Sequence, residues 1–397
     1  MKKLKLFKAK KVTRVEINSF IQQKTREILP KIEKKELVGS TPPEIFVGRI
    51  GYPKVYVGPL VPPIQGDTSF LGMVETWWGK SLEKIIEMRL QVLRGKKKLK
   101  VTQVNDRYAL KLRELLLSKF SVDSEVKLKK IPRGFSFSRY HQPFGPSAPI
   151  EEFNAWPSRT DFKVEKVFYD TDMKATEAML WLYKKGVAVS KIQQVLSAGL
   201  IGIKKNRKFV PTRWSITAVD DTIGKALIEK VKSFPVIDGY RVYYTEYLDN
   251  RWIVIFFPGR WSYESIEAWY PGTLLSEFAI GGDYEDFNGR TTYPSIGGCY
   301  FSGRLAVAEK LVEERKQAAV LILREIHPGY AVPVGVWNVR ESVRHMLRTI
   351  PKKFDTFEKV LEFISQKFEI PLKVWVENSI MLKRAKYQKS LLSFVKK

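Results

Sequence analysis

The sequence is poor in the residues that build covalent cross-links and thiolate metal sites. It contains one cysteine, Cys299, among its 397 residues. An internal disulfide needs two cysteines, and cysteine-built zinc or iron–sulfur sites need two to four thiolates, so the sequence predicts none of these and no zinc site. The three histidines, His141, His327 and His345, lie far apart in the chain and predict no multi-histidine site.

Long hydrophobic runs and an apolar leader are also missing. The longest apolar stretches, residues 252–257 and 318–323, are much shorter than the ~20 residues that span a bilayer. Residues 1–11 are basic and are not followed by the apolar segment of a secretory signal. We therefore expect no membrane partner and a cytoplasmic, nucleoid-associated protein.

Acidic residues are scarce relative to basic ones. The chain carries 69 Lys and Arg against 42 Asp and Glu, which gives a formal charge of +27 and a pI near 9.8. Such a surface attracts polyanions through counterion release, with an affinity that falls as salt rises. The alternative is a lysine-rich surface that serves solubility and ion-pair networks without a nucleic-acid partner.

The order of predicted elements indicates the fold class. Helices and strands are interleaved without a regular βαβ period and without a glycine-rich phosphate fingerprint, which favours an α+β fold over a doubly wound sheet. We predict two closely coupled parts and a flexible C-terminal peptide. The predicted divisions are a basic arm at 1–12, an N-terminal region at 13–280, a C-terminal region at 281–384 and a tail at 385–397.

Several local patterns predict particular elements. Residues 240–246 and 251–257 predict a β-hairpin around Asp249 and Asn250, and residues 318–325 predict a buried strand. Residues 162–169 have an extended pattern. Residues 95–100, rich in lysine, are interpreted as an exposed basic loop that could touch phosphate.

The last ten residues resemble a clamp-docking peptide. Gln388 is followed by Leu391 and Phe394 at intervals of three. In one short helical turn these positions share a face, so the two apolar side chains can fill one pocket while the glutamine amide anchors beside it. Clamp-interacting peptides favour a second aromatic where this chain has Val395, which should weaken the interaction. The alternative is a terminal amphipathic helix that packs on its own domain.

A second candidate site combines cations, a flat aromatic and carboxylates within fifteen residues: Arg207, Lys208, Arg213, Trp214, Asp220 and Asp221. Arginine can grip a phosphate while tryptophan stacks on a base, so the first four are predicted to bind nucleic acid or phosphate. The two aspartates are candidate catalytic groups. Alternatively, they stabilise a helix N-terminus and the tryptophan belongs to the core.

An acidic, glycine-flanked cluster contains Asp283, Glu285 and Asp286, with Arg290 just after it. Carboxylates two residues apart suit Mg²⁺ or Mn²⁺, which could activate water against a phosphodiester while the arginine stabilises the developing charge. Asp283 and Glu285 are therefore candidate metal ligands, and Arg290 is a candidate catalytic residue. The alternative is a solvated turn.

Several longer stretches resemble one protein family. Residues 47–63 (VGRIGYPKVYVGPLVPP) and 143–149 (PFGPSAP) are similar to signature stretches of the archaeal Nre family of DNA repair proteins. Further matching stretches follow in the expected order, at residues 196–199, 210–221, 267–269, 289–290 and 317–320. The resemblance implies an archaeal source, a role in DNA repair and a C-terminal peptide that binds the sliding clamp PCNA. Many family members carry a cysteine-containing zinc motif near the N-terminus, but this chain has none there.

These observations together predict a DNA repair factor that binds DNA and is recruited to PCNA by its tail. Two alternatives remain open. One is a nuclease or phosphoesterase, dependent on Mg²⁺ or Mn²⁺, that acts on DNA or nucleotides. The other is a basic RNA-binding protein whose tail binds no clamp.

Overall fold

The computed structural model describes residues 14–32, 34–157 and 159–387. The predicted basic arm at 1–12 and the clamp-binding residues Gln388, Leu391, Phe394 and Val395 lie outside the described residues. The helices are α1 Arg14–Ile32, α2 Leu82–Leu90, α3 Arg107–Leu117, α4 Phe162–Tyr169, α5 Ala175–Lys184, α6 Val189–Ser197, α7 Thr212–Val231, α8 Gly298–Glu314, α9 Trp337–Leu347, α10 Phe357–Lys367, α11 Leu372–Asn378 and α12 Ile380–Tyr387. The strands are β1 Glu36–Thr41, β2 Ile45–Val47, β3 Lys54–Val61, β4 Leu93–Lys100, β5 Val122–Leu128, β6 Ser147–Trp156, β7 Tyr240–Tyr247, β8 Asn250–Phe257, β9 Ser262–Trp269, β10 Ala279–Glu285, β11 Ala319–Ile326 and β12 Lys352–Phe354.

The described chain divides into two compact units. The N-terminal unit contains residues 20–226 and 333–341, and the C-terminal unit contains residues 14–19, 227–332 and 342–387. Each unit has a six-stranded mixed sheet with helices, so the predicted α+β class is confirmed. No helix in the described ranges is long and apolar enough to cross a membrane.

The sheet of the N-terminal unit has the strand order β1-β5-β6-β4-β3-β2, in which only the β4–β6 pair is parallel. The paired strands β3 and β4 approach closely at Gly58 and Gly95. A Cβ atom on Gly58 would lie 1.7 Å from the carbonyl oxygen of Gly95, so only glycine fits there.

A buried ion pair connects three segments of the N-terminal unit. The guanidinium of Arg89, on α2, donates from Nη1 and Nη2 to the carboxylate of Glu44 at 2.9 and 3.2 Å. It also donates to the carbonyl oxygens of Leu71 and, at 2.7 Å, Pro143. Because each of these donors and acceptors is buried, the pair fixes the path of the segment at 143–149.

The sheet of the C-terminal unit has the strand order β10-β9-β11-β8-β7-β12, with β11 and β9 parallel. The predicted hairpin is confirmed: β7 and β8 are antiparallel, with Tyr247 paired to Asn250. The two residues between them, Leu248 and Asp249, have φ of 52° each, as the tight turn of a two-residue hairpin requires. The predicted buried strand is β11, which lies between β9 and β8.

Both faces of this second sheet are covered. One face packs on α10, α11 and α12 through a core that includes Ile253, Ile266, Leu323, Phe363 and Trp375. Alternate residues point the other way, and there Tyr263 packs on Tyr300 of α8 with ring centroids 4.9 Å apart.

The last helix is fixed to the sheet by a carboxylate. Glu264 of β9 accepts hydrogen bonds from the backbone N–H groups of Ile380 and Met381 at 2.7 and 2.9 Å, and from the hydroxyl of Ser379 at 2.7 Å. It therefore satisfies N–H groups at the start of α12 that have no partner within the helix.

The extended conformation predicted for residues 162–169 is wrong, because this segment is α4. Asp161 caps the helix: its Oδ1 accepts the N–H groups of Lys163 and Val164 at 3.0 and 3.4 Å. Val164 and Val167, three residues apart, are both buried. The cap and this helical spacing outweigh the β propensity of the apolar residues.

The loop predicted at residues 95–100 is also wrong. This segment belongs to β4, which pairs with β3 on one side and β6 on the other. The alternation of polar and apolar residues that marks a strand is hidden here because lysines lie on both faces of β4. Lys96 and Lys98 lie on one face, while Lys97 lies on the other and pairs with Asp106 at 3.2 Å.

Candidate nucleic-acid interface

Three of the stretches that suggested a family meet in the N-terminal unit. The N–H of Val47 donates to the hydroxyl of Thr212 at 2.9 Å, which joins the stretch at 47–63 to that at 210–221. The ring of Phe46 lies 4.8 Å from that of Phe144, which brings in the stretch at 143–149. Segments far apart in the sequence therefore form one surface.

This surface, which we call the cation–aromatic face, alternates positive charges with rings. Its residues are Tyr52, Tyr56, Arg94, Lys96, Tyr140, Arg213 and Trp214. Positive charge beside flat rings is the combination that holds the backbone and stacks the bases of single-stranded nucleic acid.

Arg213 and Trp214, at the start of α7, lie at one end of the face. The guanidinium of Arg213 lies 3.4 Å from the ring centroid of Tyr140. The indole of Trp214 lies 5.2 Å from the ring of Tyr52, and the two residues are 44% and 43% exposed. Trp214 is therefore a surface residue, available for stacking.

Arg94 lies at the centre of the face. Its guanidinium lies 4.3 Å from the ring centroid of Phe46 and donates from Nη2 to the carbonyl oxygen of Tyr56 at 3.1 Å. Its Nε is buried and has no hydrogen-bond partner within the described ranges. Burial lowers the pKa of Arg94 to about 10. No carboxylate among the described residues neutralises this cation, so its charge is available to an anion.

Strand β4 extends the positive charge beyond Arg94. Arg94, Lys96, Lys98 and Lys100 alternate along the strand and share a face, with cations spaced about 6.7 Å apart. Lys98 is opposite Tyr56 in the register of β3 and β4. These side chains form a basic row beside an exposed ring.

The positive charges of the face are not neutralised by nearby acids. Among the residues that the structure describes, no carboxylate forms an ion pair with Arg94, Lys96, Lys98 or Arg213. The pKa of His141 is lowered to about 4, first by burial and then by the charges of Arg94, Arg89 and Arg213. Burial is the largest cause of this shift and the three guanidinium groups add to it, so the imidazole is neutral at pH 7.

The other four predicted residues of the 207–221 segment are not members of this face, and three of them have partners elsewhere. Arg207 donates to three carbonyl oxygens, each at 2.7 Å, and so ties backbone segments together. Lys208 is exposed. Asp220 is buried and pairs with Arg340 at 3.0 Å, whereas Asp221 pairs with Lys225 at 2.8 Å along α7. Both carboxylates thus have cationic partners.

Asp283 and Glu285 lie in the C-terminal unit, each in its own hydrogen-bond network. Both oxygens of Asp283 accept bonds from the segment that follows: Oδ1 from Arg290 and the N–H of Ser295, and Oδ2 from the Ser295 hydroxyl and the N–H of Ile296, at 2.8–3.0 Å. Burial raises the pKa of Asp283, but these N–H groups outweigh it and the net shift is downward.

Glu285 forms an ion pair with Arg304 at 2.7 Å and accepts the indole N–H of Trp261 at 3.3 Å. Within the described ranges, no group of three or more histidine, cysteine or acidic residues could hold a metal ion. The metal hypothesis gains no support from this arrangement.

Sequence reasoning missed four members of the face, which are Tyr52, Tyr56, Arg94 and Tyr140, and it reached Lys96 only as part of the basic segment at 95–100. Two of them stood within a stretch that was recognised only by resemblance. The available signal was the two-residue spacing of cations at 94, 96, 98 and 100, which indicates a strand with one basic face.

Comparison with known proteins assigns the chain to a family. Models described as archaeal Nre, N-terminal and archaeal Nre, C-terminal match residues 16–276 and 285–394. The chain is 44% identical to the DNA repair protein NreB of Archaeoglobus fulgidus over 91% of this chain and 93% of that protein. It is 38% identical to the DNA repair protein NreA of the same organism, over 85% and 87% of the two chains. It is 34% identical to the DNA repair protein NreA of Haloferax volcanii, over 86% of this chain and 85% of that protein. The predicted resemblance is confirmed, and the chain belongs to the archaeal Nre family.

Proposed function

We propose that this protein is a DNA repair factor that binds DNA through the cation–aromatic face and reaches its site of action by binding the sliding clamp PCNA. The repair role follows the names of its relatives. The observation that carries DNA binding is Arg94, a cation that forms no ion pair in the described part of the chain and lies on one face of β4 with Lys96 and Lys98, beside Tyr56, whose ring is 42% exposed.

The geometry favours a single strand or a distorted duplex as the ligand. Trp214, Tyr52 and Tyr56 expose ring surface, and an intact duplex hides its base faces within the stack. Unstacked bases could lie on these rings while Arg94, Arg213 and the β4 lysines hold the phosphates. A damaged site, where bases are unpaired, offers such a ligand.

The first test removes one end of the face. The double variant Arg213→Ala and Trp214→Ala should weaken binding of a single-stranded DNA oligonucleotide by about 10- to 100-fold, since each lost base stack is worth ~1–3 kcal/mol. Fluorescence anisotropy at several salt concentrations measures the affinity. The salt slope should also fall by about one, because one phosphate contact is lost.

A matched control is Lys359→Ala with Phe278→Ala, which removes one cation and one partly exposed ring from the C-terminal unit. This control should bind DNA like the wild type. Equal losses in both variants would show that the charge acts without a defined site. Tighter binding of an RNA of the same sequence would favour the RNA-binding alternative over a DNA repair role.

The second test concerns the tail. Phe394→Ala should weaken binding to PCNA by about 30-fold or more, since emptying an apolar pocket removes a dominant contact. DNA affinity should stay unchanged. Surface plasmon resonance with immobilised clamp measures the effect, and Lys396→Ala, which spares the Gln388, Leu391 and Phe394 pattern, is the control. Undiminished clamp binding by the Phe394 variant would refute the proposed recruitment.

A further inference from the structure

The N-terminal unit contains a cavity that the cation–aromatic face does not include. Its volume is about 550 Å³, and it lies where the first residues of α4 and α6 meet the segments around Pro42 and Gly72. Pockets of roughly 300–1,000 Å³ hold small molecules. We call it the basic cavity.

Four cations line the basic cavity: Lys119, Arg159, Lys163 and Lys191. Its two carboxylates already have partners. Glu44 is neutralised by Arg89, and the Oδ1 of Asp161 accepts two N–H groups at the start of α4. In the described part of the chain, no carboxylate forms an ion pair with Lys119 or Arg159. The cavity therefore favours an anion.

Two residues of α6 that line the cavity, Lys191 and Gln194, carry side-chain donors. The ammonium of Lys191 donates to the carbonyl oxygens of Leu116 and Ser118 at 2.6 and 3.1 Å, which leaves one of its three N–H groups for a ligand. Burial lowers the pKa of Lys191 to about 8. An anion bound beside it would stabilise the charged form.

Gln194 follows Lys191 by three residues on α6 and also lines the cavity. Its Oε1 accepts the N–H of Ile45 at 2.9 Å, which fixes the orientation of the amide. Its Nε2 has no hydrogen-bond partner among the residues that the structure describes, so a ligand oxygen could satisfy it. Ammonium and amide donors side by side suit the several acceptor oxygens of a phosphate.

Two apolar side chains also line the cavity. Phe162, the first residue of α4, is 69% exposed, and Met73 is 43% exposed. A phenyl ring can stack on a flat base. The cavity thus pairs an anion site with a ring platform.

We propose that the basic cavity binds a nucleoside monophosphate, with the phosphate against Lys119, Arg159 and Lys191 and the base against Phe162. The nucleotide could be free, or it could be the phosphorylated terminal nucleotide of a DNA strand, since both present the same chemistry. This proposal goes beyond DNA binding at the cation–aromatic face, and it does not require that face to work.

Isothermal titration calorimetry of the full chain tests the proposal. The ligands are thymidine monophosphate, thymidine, inorganic phosphate, and one oligonucleotide with and without a 5′-phosphate. We expect the monophosphate to bind and Lys119→Ala with Arg159→Ala to weaken it by about tenfold or more, since charge-assisted bonds to phosphate are strong. Phe162→Ala should weaken the monophosphate but leave inorganic phosphate unchanged.

The control is Lys359→Ala with Lys373→Ala, which removes the same charge from exposed positions of the C-terminal unit. It should bind the monophosphate like the wild type. A preference for the 5′-phosphorylated strand that disappears in the cavity variant assigns the site to strand ends, and monophosphate binding without this preference assigns it to free nucleotides. No heat with the monophosphate, or equal losses in cavity and control variants, would overturn the proposal. The unphosphorylated strand should bind the cavity variant normally, which separates this test from that of the face.

Discussion

Replacing Glu285 by glutamine should lower the free energy of unfolding of the C-terminal unit by about 3–5 kcal/mol, because it leaves a buried cation without its counter-charge. The side chains of Arg304 and Glu285 are 2% and 1% exposed and lie 2.7 Å apart. Neutral glutamine keeps the shape of the site but loses the charge that compensates Arg304. Urea denaturation followed by tryptophan fluorescence measures the difference, since Trp261 donates to Glu285.

Two further variants sharpen this test. Glu277→Gln, at an exposed position of the same unit, should change stability by less than about 0.5 kcal/mol. Glu285→Gln combined with Arg304→Met should recover part of the loss, since the uncompensated charge is gone. Unchanged stability of the single variant would contradict the structural role of Glu285 and would revive the metal-dependent alternative.

Replacing Arg89 by methionine should cost the N-terminal unit about 3–5 kcal/mol, since Glu44 would remain buried without a cation. The loss also includes the bond to the carbonyl oxygen of Pro143. Because Pro143 precedes Phe144, which packs on Phe46 beneath Arg94, DNA affinity should fall together with stability. Chemical denaturation and fluorescence anisotropy on the same variant give the two values.

Lys84→Met, at an exposed position of the same helix, is the control and should change neither quantity appreciably. Adding Glu44→Gln to Arg89→Met should restore part of the stability. It should not restore DNA affinity fully, because the bond to Pro143 remains broken. Wild-type stability of the single variant Arg89→Met would contradict the prediction that the buried Arg89–Glu44 pair stabilises the N-terminal unit.

Part of this architecture could be predicted because its causes are local. The hairpin of β7 and β8 needs only two β-forming segments and a tight turn between them, and all three are consecutive in the sequence. Arg213 and Trp214 were predicted as candidate binding residues for the same reason, since they are adjacent in the sequence. Helix α4 was missed because eight residues fit a strand and a helix equally well until the cap at Asp161 is taken into account.

The rest depends on pairing between distant segments. Arg94 joins the face only because β4 pairs with β3 and places its guanidinium beside Phe46 and Tyr56. Tyr140 meets Arg213 only after folding. In the same way, the sequence did not show which groups bind Asp283 and Glu285, because Ile296 meets Asp283, and Trp261 and Arg304 meet Glu285, only after folding.

The anchoring of α12 by Glu264 has a consequence for the proposed recruitment to PCNA. In the sequence, Gln388 directly follows Tyr387, the last described residue, which belongs to α12. Binding of the tail to PCNA, as proposed, would raise the effective concentration of the attached protein near the clamp to about the millimolar range, and avidity could then exceed either single affinity by about 10²- to 10⁴-fold. Modest contacts with DNA would then suffice at the clamp. The Glu264 carboxylate, by fixing where α12 starts, holds the helix whose last residue, Tyr387, directly precedes the proposed docking peptide.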